Sequence, residues 1–482
     1  MKKRRIWKVV YTDFNGPERR AVELIHRELG ALVLRTKGVY ELNVLPVEKF
    51  GTKLDKNAVV LGLYEENELI RKYIKEDEIP ENGYVVKVLD NPENTELKLV
   101  LITAKDKTSL FYGATDFVDD YFTMAKPINC NMLRQADEIF DRETLPDYFH
   151  ASAPAIKKRA IFTWGHPIND YRHYISNMAR MKLNQLIIWN DHVPVNAADV
   201  VEYAHSYGIE VIWGYAWGWE PGSKPMDINV DYMNELSNAV VEQYEREYKD
   251  LPGDGIYFQS FTERHEDYLG EHLVAEAVTN FVNKTADKLL SKYPDLYIQF
   301  GLHAWSVETH LEFIAKVDKR VEIMWEDCGA FPYEYDPVVN NKEDFDKAVD
   351  FTDKIINLRQ EGATSVLFKG NMVLDWDRFV HQCGPFILGE ASQAIIEHDR
   401  EMLKPIWRHF QSQWHTQGIY AYNMAKHIAE STNGNMTVGI AGQFAGGHWF
   451  CEALCAQILW ECDKPYDEIL SKVTKRRCVD FV

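Results

Sequence analysis

A dense run of ionisable side chains follows an apolar stretch in the segment DGIYFQSFTERHEDYLGEH, residues 254–272. The β-forming residues 256–258 come after a Gly-Asp-Gly turn, and helical spacing over 267–290 predicts a helix. The cluster Thr262, Glu263, Arg264, His265 and Glu266 therefore lies where a strand ends and a helix begins, which is where α/β enzymes keep their chemistry. Polar residues also crowd strand ends for structural reasons alone, so both interpretations stand until the other strand ends are considered.

Aromatic and polar residues also follow seven further apolar runs. Together with the exit just described, the eight predicted strand exits carry, in chain order, Trp164, His166; Trp189, Asn190, Asp191, His192; Trp217, Trp219, Glu220; Glu263, Arg264, His265; His303, Trp305; Trp325, Glu326, Asp327; Lys369, Asn371, Asp375; and Gln443. Tryptophan faces stack on the C–H faces of sugar rings, while carboxylates and amides bind hydroxyl groups. Few of these residues are basic, so we expect a carbohydrate substrate rather than a phosphate, with at least two tryptophans contacting sugar. Barrel packing is the alternative for any single tryptophan.

Carboxyl groups at two of these exits suit glycoside hydrolysis, which needs one group to donate a proton and another to act as base or nucleophile. Glu263 follows the fourth strand, and the adjacent pair Glu326 and Asp327 follows the sixth. Adjacent residues of a regular strand point to opposite faces, so we expect at most one of the pair to face the substrate, with the other bound to a basic neighbour. The sequence leaves open which one it is.

Other chemistries have weaker support. His166, His192, His265 and His303 lack the HxH or HExxH spacing of metal ligands, so we predict no metal and no cofactor. No Gly-x-Ser-x-Gly elbow is present, and we expect the carboxylates before Cys328 to raise the pKa of its thiol. Lys369 is the one candidate for a Schiff base, which would indicate a lyase or isomerase. We expect it instead to bind a rim carboxylate or a substrate carboxylate.

The elements that would position these residues follow a regular pattern. From residue 157 onward, eight near-continuous apolar runs alternate mostly with helical patterns, as strands buried on both faces require. This predicts a (β/α)8 TIM barrel, with the site at the carboxyl ends of its strands. An open doubly wound sheet is the rival, but no Gly-x-Gly-x-x-Gly or P-loop follows a strand. The pattern of residues 1–150 predicts a small mixed α/β domain. Residues 151–482 are predicted to form the catalytic barrel, which ends in a closing C-terminal helix. The segment ETLPDYFHASAPAIKKR, 143–159, reads as a linker.

Composition limits the partners. The 482 residues exceed the roughly 250–300 that one core supports, and the net charge of −20 makes nucleic acid and anionic membranes poor partners. Neither an h-region nor an apolar stretch of about 18 residues occurs, so we expect no signal peptide and a cytoplasmic location. A chain trimmed of its signal peptide would look the same. Seven cysteines without CxxC spacing predict reduced thiols, with Cys451 and Cys455 in apolar packing. The oligomeric state stays open, and a homodimer is one alternative.

Several segments resemble known glycosidases. TAKDKTSLFYGATDFVDDYF, 103–122, resembles the end of the small α/β domain that precedes the barrel in α-glucuronidases and β-N-acetylhexosaminidases, where a glycine after an aromatic pair opens the closing helix; here these are Phe111, Tyr112 and Gly113. YISNMARMKLNQLIIWND, 174–191, and EYAHSYGIEVIWGYAWGWEP, 202–221, are similar to the second and third β/α units of these enzymes. ALCAQILWECDKPYDEILSKVTKRR, 453–477, resembles the helical close of α-glucuronidase-like barrels.

The resemblance implies a glycoside hydrolase whose acid at the end of strand four is Glu263. Hexosaminidases that use the substrate's acetamido group carry two adjacent acidic residues at this point, whereas this chain has Thr262 before Glu263. That difference favours an exo-acting α-glucuronidase-type enzyme over a β-N-acetylhexosaminidase. In the former, the region similar to IMWEDCGAFPY, 323–333, supplies the catalytic base, here Glu326 or Asp327. A non-catalytic carbohydrate-binding barrel is the alternative from another functional class.

Overall fold

The structure, a computed structural model, describes residues 5–33, 40–51, 53–121, 146–163, 168–218, 232–329, 341–369, 384–442, 449–476 and 479–481. Several residues of the predicted rim lie outside the described residues, namely Trp164, His166, Trp219, Glu220, Asn371, Asp375 and Gln443. The chain divides into two compact units. The first is Met1–Pro154 with His205–Gly208 and Thr474–Cys478, and the second is Ala155–Ala204, Ile209–Val473 and Val479–Val482.

The first unit is built on a six-stranded mixed sheet in the order β2-β1-β3-β5-β4-β6. Its strands are β1 Arg5–Tyr11, β2 Tyr40–Pro46, β3 Asn57–Leu63, β4 Tyr84–Asp90, β5 Lys98–Ala104 and β6 Tyr148–Ser152. The helices are α1 Gly16–Val33, α2 Val47–Phe50, α3 Glu68–Arg71 and α4 Lys107–Asp116. All seven residues of β5 are buried, which explains the apolar run 99–102 at its centre. The predicted mixed α/β unit is therefore confirmed.

The sheet has two edge strands, and neither is a continuous apolar run in the sequence. Strands β2 and β6 occupy the two edges of the sheet, so each pairs with one neighbour only. The residues of β6 are all half-buried or exposed, because an edge strand has less surface to cover. Without an apolar run the segment resembles a linker, and that interpretation is wrong for the five residues of β6.

The second unit contains a closed barrel of eight parallel strands in the order β10-β13-β14-β15-β16-β7-β8-β9. Its strands are β7 Lys158–Phe162, β8 Gln185–Trp189, β9 Glu210–Ala216, β10 Gly255–Gln259, β13 Ile298–Leu302, β14 Val321–Cys328, β15 Thr364–Phe368 and β16 Thr437–Ala441. The eight apolar runs predicted from residue 157 onward correspond to these eight strands, so the predicted TIM barrel is confirmed. Side chains fill its interior, among them Phe162, Ile187, Trp189, Tyr257 and Met324.

Helices separate most of the barrel strands. They are α5 Tyr171–Arg180, α6 Ala197–His205, α7 Met233–Gln243, α8 Val274–Lys292, α9 Leu311–Ile314, α10 Lys342–Ile356, α11 Gln393–Thr432, α12 Phe450–Glu461 and α13 Tyr466–Val473. Side-chain oxygens of Asp170, Asn341 and Ser392 accept hydrogen bonds from backbone N–H groups in the first turns of α5, α10 and α11. Within the described ranges, no helix combines the length and apolarity that crossing a membrane would require.

The helix predicted over 267–290 begins later than its spacing indicates. A short hairpin of β11 Tyr268–Leu269 and β12 His272–Leu273 comes first, and α8 starts at Val274. Gly270 has a φ of +63° in the turn of this hairpin, a conformation that glycine adopts without steric cost. The prediction was therefore wrong for its first seven residues, about two helical turns, most of which form the hairpin instead.

Candidate active site

His303 is the centre of a buried polar cluster at the carboxyl end of the barrel, one residue beyond β13. Its Nε2 lies 3.0 Å from Oε2 of Glu326 and 3.9 Å from Oε2 of Glu263. Its Nδ1 lies 3.0 Å from Oδ1 of Asp327. The structure therefore brings together four residues that the sequence analysis selected, from the exits of the fourth, fifth and sixth barrel strands.

A bulge in β14 explains how two adjacent carboxyl groups reach the same imidazole. The pairing of β14 with β15 shifts register between Trp325 and Cys328: Trp325 pairs with Val366 and Cys328 with Phe368. Three residue intervals along β14 thus lie opposite two along β15. The extra residue breaks the regular alternation of side chains between the two faces of β14 at Glu326 and Asp327. Both Glu326 and Asp327 consequently approach His303, one at each ring nitrogen.

Glu326 is fully buried below the rim, and burial raises its pKa well above the usual range. The charge of nearby Lys369 lowers this pKa, but burial has the larger effect. Nε2 of Gln259 donates a hydrogen bond of 2.7 Å to Oε2 of the carboxyl group. A Cβ atom on Gly301 would lie 1.8 Å from Oε1 of Glu326 and 2.0 Å from the Tyr257 hydroxyl, so only glycine leaves room for both groups. Burial therefore favours the protonated form of the Glu326 carboxyl group.

Asp327 is also buried but has the opposite protonation state. Burial acts to raise its pKa, and the positive charge of Lys369 together with hydrogen bonds from His303 and Lys369 outweighs burial and holds the pKa well below its usual range. Lys369 Nζ donates to Oδ1 at 2.8 Å, and the Ala304 N–H donates to Oδ2 at 2.8 Å. Because the carboxylate is ionised, we assign the proton of His303 to Nδ1, where it is donated to Asp327. Two adjacent carboxyl groups with different protonation states are typical of acid–base sites.

The rim above this cluster is more exposed. The side chain of Glu263 is 37% exposed, so its carboxyl group is accessible to a ligand. Trp305 is 44% exposed, and the His265 ring stands almost perpendicular to it at a centroid distance of 4.2 Å. Thr262 is buried, and its Oγ1 accepts a hydrogen bond from the His303 backbone N–H at 3.3 Å. Arg264 is half-buried at the same rim.

The remaining predicted residues of the described rim are Asn190, Asp191 and His192, which directly follow β8. All three are half-buried, as expected for positions just beyond a strand end. Trp189, the last residue of β8, instead points into the barrel, where its ring meets the ring of Tyr257 edge to face at 6.0 Å. A Cβ atom on Gly214 would lie 2.8 Å from the Trp189 ring, so that glycine makes room for the indole.

Two predicted sugar-binding tryptophans are packing residues. Trp217 is 0% exposed, and its ring stacks on Phe258 at 3.6 Å and meets Phe281 of α8 edge to face. Trp325 is also 0% exposed and contacts Phe351 of α10. Both rings therefore lie between the barrel and its outer helices, where no substrate reaches them. The expectation that they contact sugar does not hold in the structure, because Trp325 of β14 and Trp217, the residue after β9, both point outward from the barrel.

Three residues of the cluster were missed in the sequence analysis: Gln259, Gly301 and Ala304. Gln259 lies two positions after Tyr257 on β10, and alternate residues of a strand share a face. Period-two counting from the strand interior would therefore have found Gln259. The roles of Gly301 and Ala304 depend on contacts with another strand, which sequence spacing does not show. Within the described ranges, no group of three or more His, Cys, Asp or Glu residues could hold a metal ion.

No protein-family model matches the chain, and no curated protein matches it either. Similar solved structures include a GH138 enzyme targeting pectin rhamnogalacturonan II, with 11% identity and a TM-score of 0.46 over 96% of this chain and 51% of that one. A family 89 glycoside hydrolase from Clostridium perfringens, in complex with GlcNAc-alpha-1,4-galactose, has 11% identity and a TM-score of 0.47 over 95% and 51%. A β-N-acetylhexosaminidase has 12% identity and a TM-score of 0.43 over 82% and 87%. The chain spans about half the length of the first two.

Proposed function

We propose that this protein is a glycoside hydrolase that cleaves O-glycosidic bonds by carboxyl-group acid–base catalysis. The observation that carries the proposal is the pair Glu263 and Glu326 at the carboxyl end of the barrel, both close to Nε2 of His303. Distances of 3.9 Å and 3.0 Å from one nitrogen limit the separation of the two carboxyl oxygens to about 7 Å. That limit includes both the roughly 5–5.5 Å of a retaining pair and the short end of the roughly 6.5–9.5 Å of an inverting pair.

Glu263 is the proposed general acid. Its carboxyl group is partly exposed at the rim, where it can meet a glycosidic oxygen, and the exposed Trp305 follows the neighbouring strand β13. Glu326 is the proposed base of an inverting mechanism, and Asp327 orients His303. Asp327 is the weaker candidate for the base because Lys369, Ala304 and His303 already bind its oxygens.

Within glycosidases, we propose an exo-acting α-glucuronidase-type enzyme, on the resemblance of its sequence segments. A screen of aryl glycosides together with uronic-acid-capped oligosaccharides tests both the glycosidase activity and the narrower α-glucuronidase assignment. Turnover of any member that is lost in the Glu326→Gln variant supports the glycosidase, and preference for the uronic-acid substrates supports the narrower assignment. Calorimetric binding of a sugar without turnover would instead indicate a carbohydrate-binding barrel.

The stereochemistry is tested separately. NMR of the first-formed sugar on an active substrate should show the anomer opposite to that of the substrate, before mutarotation mixes the two. Product that keeps the substrate's anomeric configuration would replace inversion by retention, and would make one carboxylate a nucleophile.

A further inference from the structure

One imidazole nitrogen lies within 4 Å of both carboxyl groups that the proposed chemistry requires. Nε2 of His303 is 3.0 Å from Glu326 and 3.9 Å from Glu263. The opposite nitrogen is fixed by Asp327, which Lys369 and the Ala304 N–H hold in turn. The ring is therefore held in an orientation in which Nε2 lies at hydrogen-bond distance from Glu326, whereas proton transfer to Glu263 requires that partly exposed side chain to move closer.

In the resting site, neither buried carboxyl group is available to accept a proton from water. Burial raises the pKa of Glu326 well above the usual range and so favours its protonated form, which cannot accept a proton from water. Asp327 is ionised, but its carboxylate oxygens accept hydrogen bonds from three neighbouring donors. Inversion requires a free carboxylate opposite the acid. The site must therefore generate that carboxylate during turnover.

We propose that His303 carries a proton from Glu326 to Glu263 in each turnover, and so makes Glu326 the base at the moment it is needed. The inference rests on the proposed glycosidase function and adds a positioning residue with a defined proton route.

The steps balance in protons and electrons. Glu263 gives its proton to the glycosidic oxygen, which keeps the electron pair of the breaking C–O bond. The Glu326 O–H then passes its proton to Nε2 of His303. Water forms the new C–O bond and loses a proton to the Glu326 carboxylate, and the imidazolium returns its proton to Glu263. The resting state is restored, and the net change is addition of one water.

The charges around the ring favour the transient imidazolium. Lys369 and Asp327 form a close pair of opposite charge, so they add little net charge. Once Glu263 has given up its proton, it is a carboxylate 3.9 Å from Nε2. When the imidazolium forms, Glu263 and Glu326 are both carboxylates within 4 Å of Nε2, and these two charges, rather than the neutralised Asp327–Lys369 pair, stabilise it. Arg264 follows Glu263 at the rim.

The test compares wild type with His303→Asn, whose amide can still donate to Asp327 but has no atom at the position of Nε2. We expect kcat to fall about 10²-fold for aryl glycosides with good and with poor leaving groups, the usual scale of acid–base catalysis. Activity of the variant should rise with pH, because hydroxide rather than His303 then removes the proton from Glu326. Azide should restore turnover and form a glycosyl azide, because an azide ion attacks without a proton to remove.

His310→Asn is the matched control, since His310 follows the same strand but its side chain is 27% exposed. It should behave as wild type. The proton route is overturned if His303→Asn keeps kcat within threefold of wild type. It is equally overturned if the variant melts normally, loses activity, and recovers neither with azide nor at higher pH. If His303→Asn does not fold, the same comparisons with His303→Gln decide. A wild type that turns over no glycoside removes the proposed function and this inference with it.

Discussion

At the scale of single residues, the site depends on which side chains are exposed at the rim and which are held beneath it. Glu263 and Trp305 are accessible, whereas His303, Glu326 and Asp327 are almost completely buried. Accessible groups can meet a ligand, and buried groups acquire the shifted pKa values that acid–base chemistry uses. We therefore expect substitution of accessible side chains to change activity or substrate binding, and substitution of buried packing residues to lower stability.

The general acid is tested by Glu263→Gln. We expect kcat to fall at least about 10²-fold for a glycoside with a poor leaving group, because the amide cannot protonate the departing oxygen. A dinitrophenyl glycoside, whose leaving group needs little protonation, should lose much less. Glu266→Gln serves as the control, since Glu266 is an exposed carboxyl group three positions along the chain. Near-normal turnover of the poor substrate by Glu263→Gln would contradict the assignment.

The tryptophans separate binding from packing. Trp305→Ala should raise KM roughly 2- to 10-fold with an unchanged Tm, since an exposed aromatic contact is worth about 0.5–1.5 kcal/mol. Trp217→Ala should do the reverse and lower the free energy of unfolding by about 3–5 kcal/mol, because its ring fills space between the barrel and α8. Steady-state kinetics and thermal melting of both variants decide. An unchanged KM in Trp305→Ala would remove it from the proposed sugar site.

At the scale of elements, the bulge of β14 and the exit of β15 together create a buried ion pair. Asp327 and Lys369 are 42 residues apart in the chain, yet their side chains meet at 2.8 Å with 4% and 8% exposure. A buried pair contributes little net stability as a pair, but removal of one member leaves an uncompensated charge. The pairing of these two strand ends therefore makes each residue depend on the other.

Asp327→Asn should consequently cost about 3–5 kcal/mol in the free energy of unfolding, measured by urea denaturation. The double variant Asp327→Asn with Lys369→Met should lose less, because no charge is left buried. The exposed pair Lys342 and Asp346 of α10 gives the control, and Asp346→Asn should change stability by no more than about 1 kcal/mol. Equal losses in the single and double variants would show that the charge of Lys369 is compensated elsewhere.

At the scale of the whole molecule, the stability of the chain should depend on pH through the first unit as well as through the barrel. Glu18 of α1 is fully buried, and Oε1 accepts backbone hydrogen bonds from Thr12 and Asp13 at 2.8 and 2.9 Å. Its Oε2 is buried without a hydrogen-bond partner among the described residues. Burial raises the pKa of Glu18 from 4.5 to about 7, although the two backbone hydrogen bonds act to lower it.

Because the folded pKa is the higher one, the contribution of Glu18 is complete below its unfolded value and is lost as the pH rises through about 7. The Tm of wild type should therefore fall relative to that of Glu18→Gln between pH 5 and pH 8. Glu23→Gln on the same helix is the control, because Arg19 and Arg20 keep the Glu23 pKa low despite partial burial and the group stays ionised over this range. Parallel Tm curves for wild type and Glu18→Gln would show that Glu18 does not titrate there.

The sequence by itself determined the barrel and the rim. Strands buried on both faces need continuous apolar runs, so eight such runs in alternation with helices identified all eight barrel strands. Parallel strands end on the same side of a barrel, which is why Glu263, His303, Glu326 and Asp327 were expected near one another. Edge strand β6 escaped notice because an edge needs no apolar run.

Tertiary structure alone decided what those residues can do. A change of one position along a strand turns a side chain from the barrel mouth to the helix layer, and this placed Trp217 and Trp325 in packing rather than at the rim. The opposite protonation states of Glu326 and Asp327 depend on the β14 bulge and on Lys369 from the next strand. Electrostatic effects depend on distance and burial in space, and chain spacing specifies neither for residues on different strands.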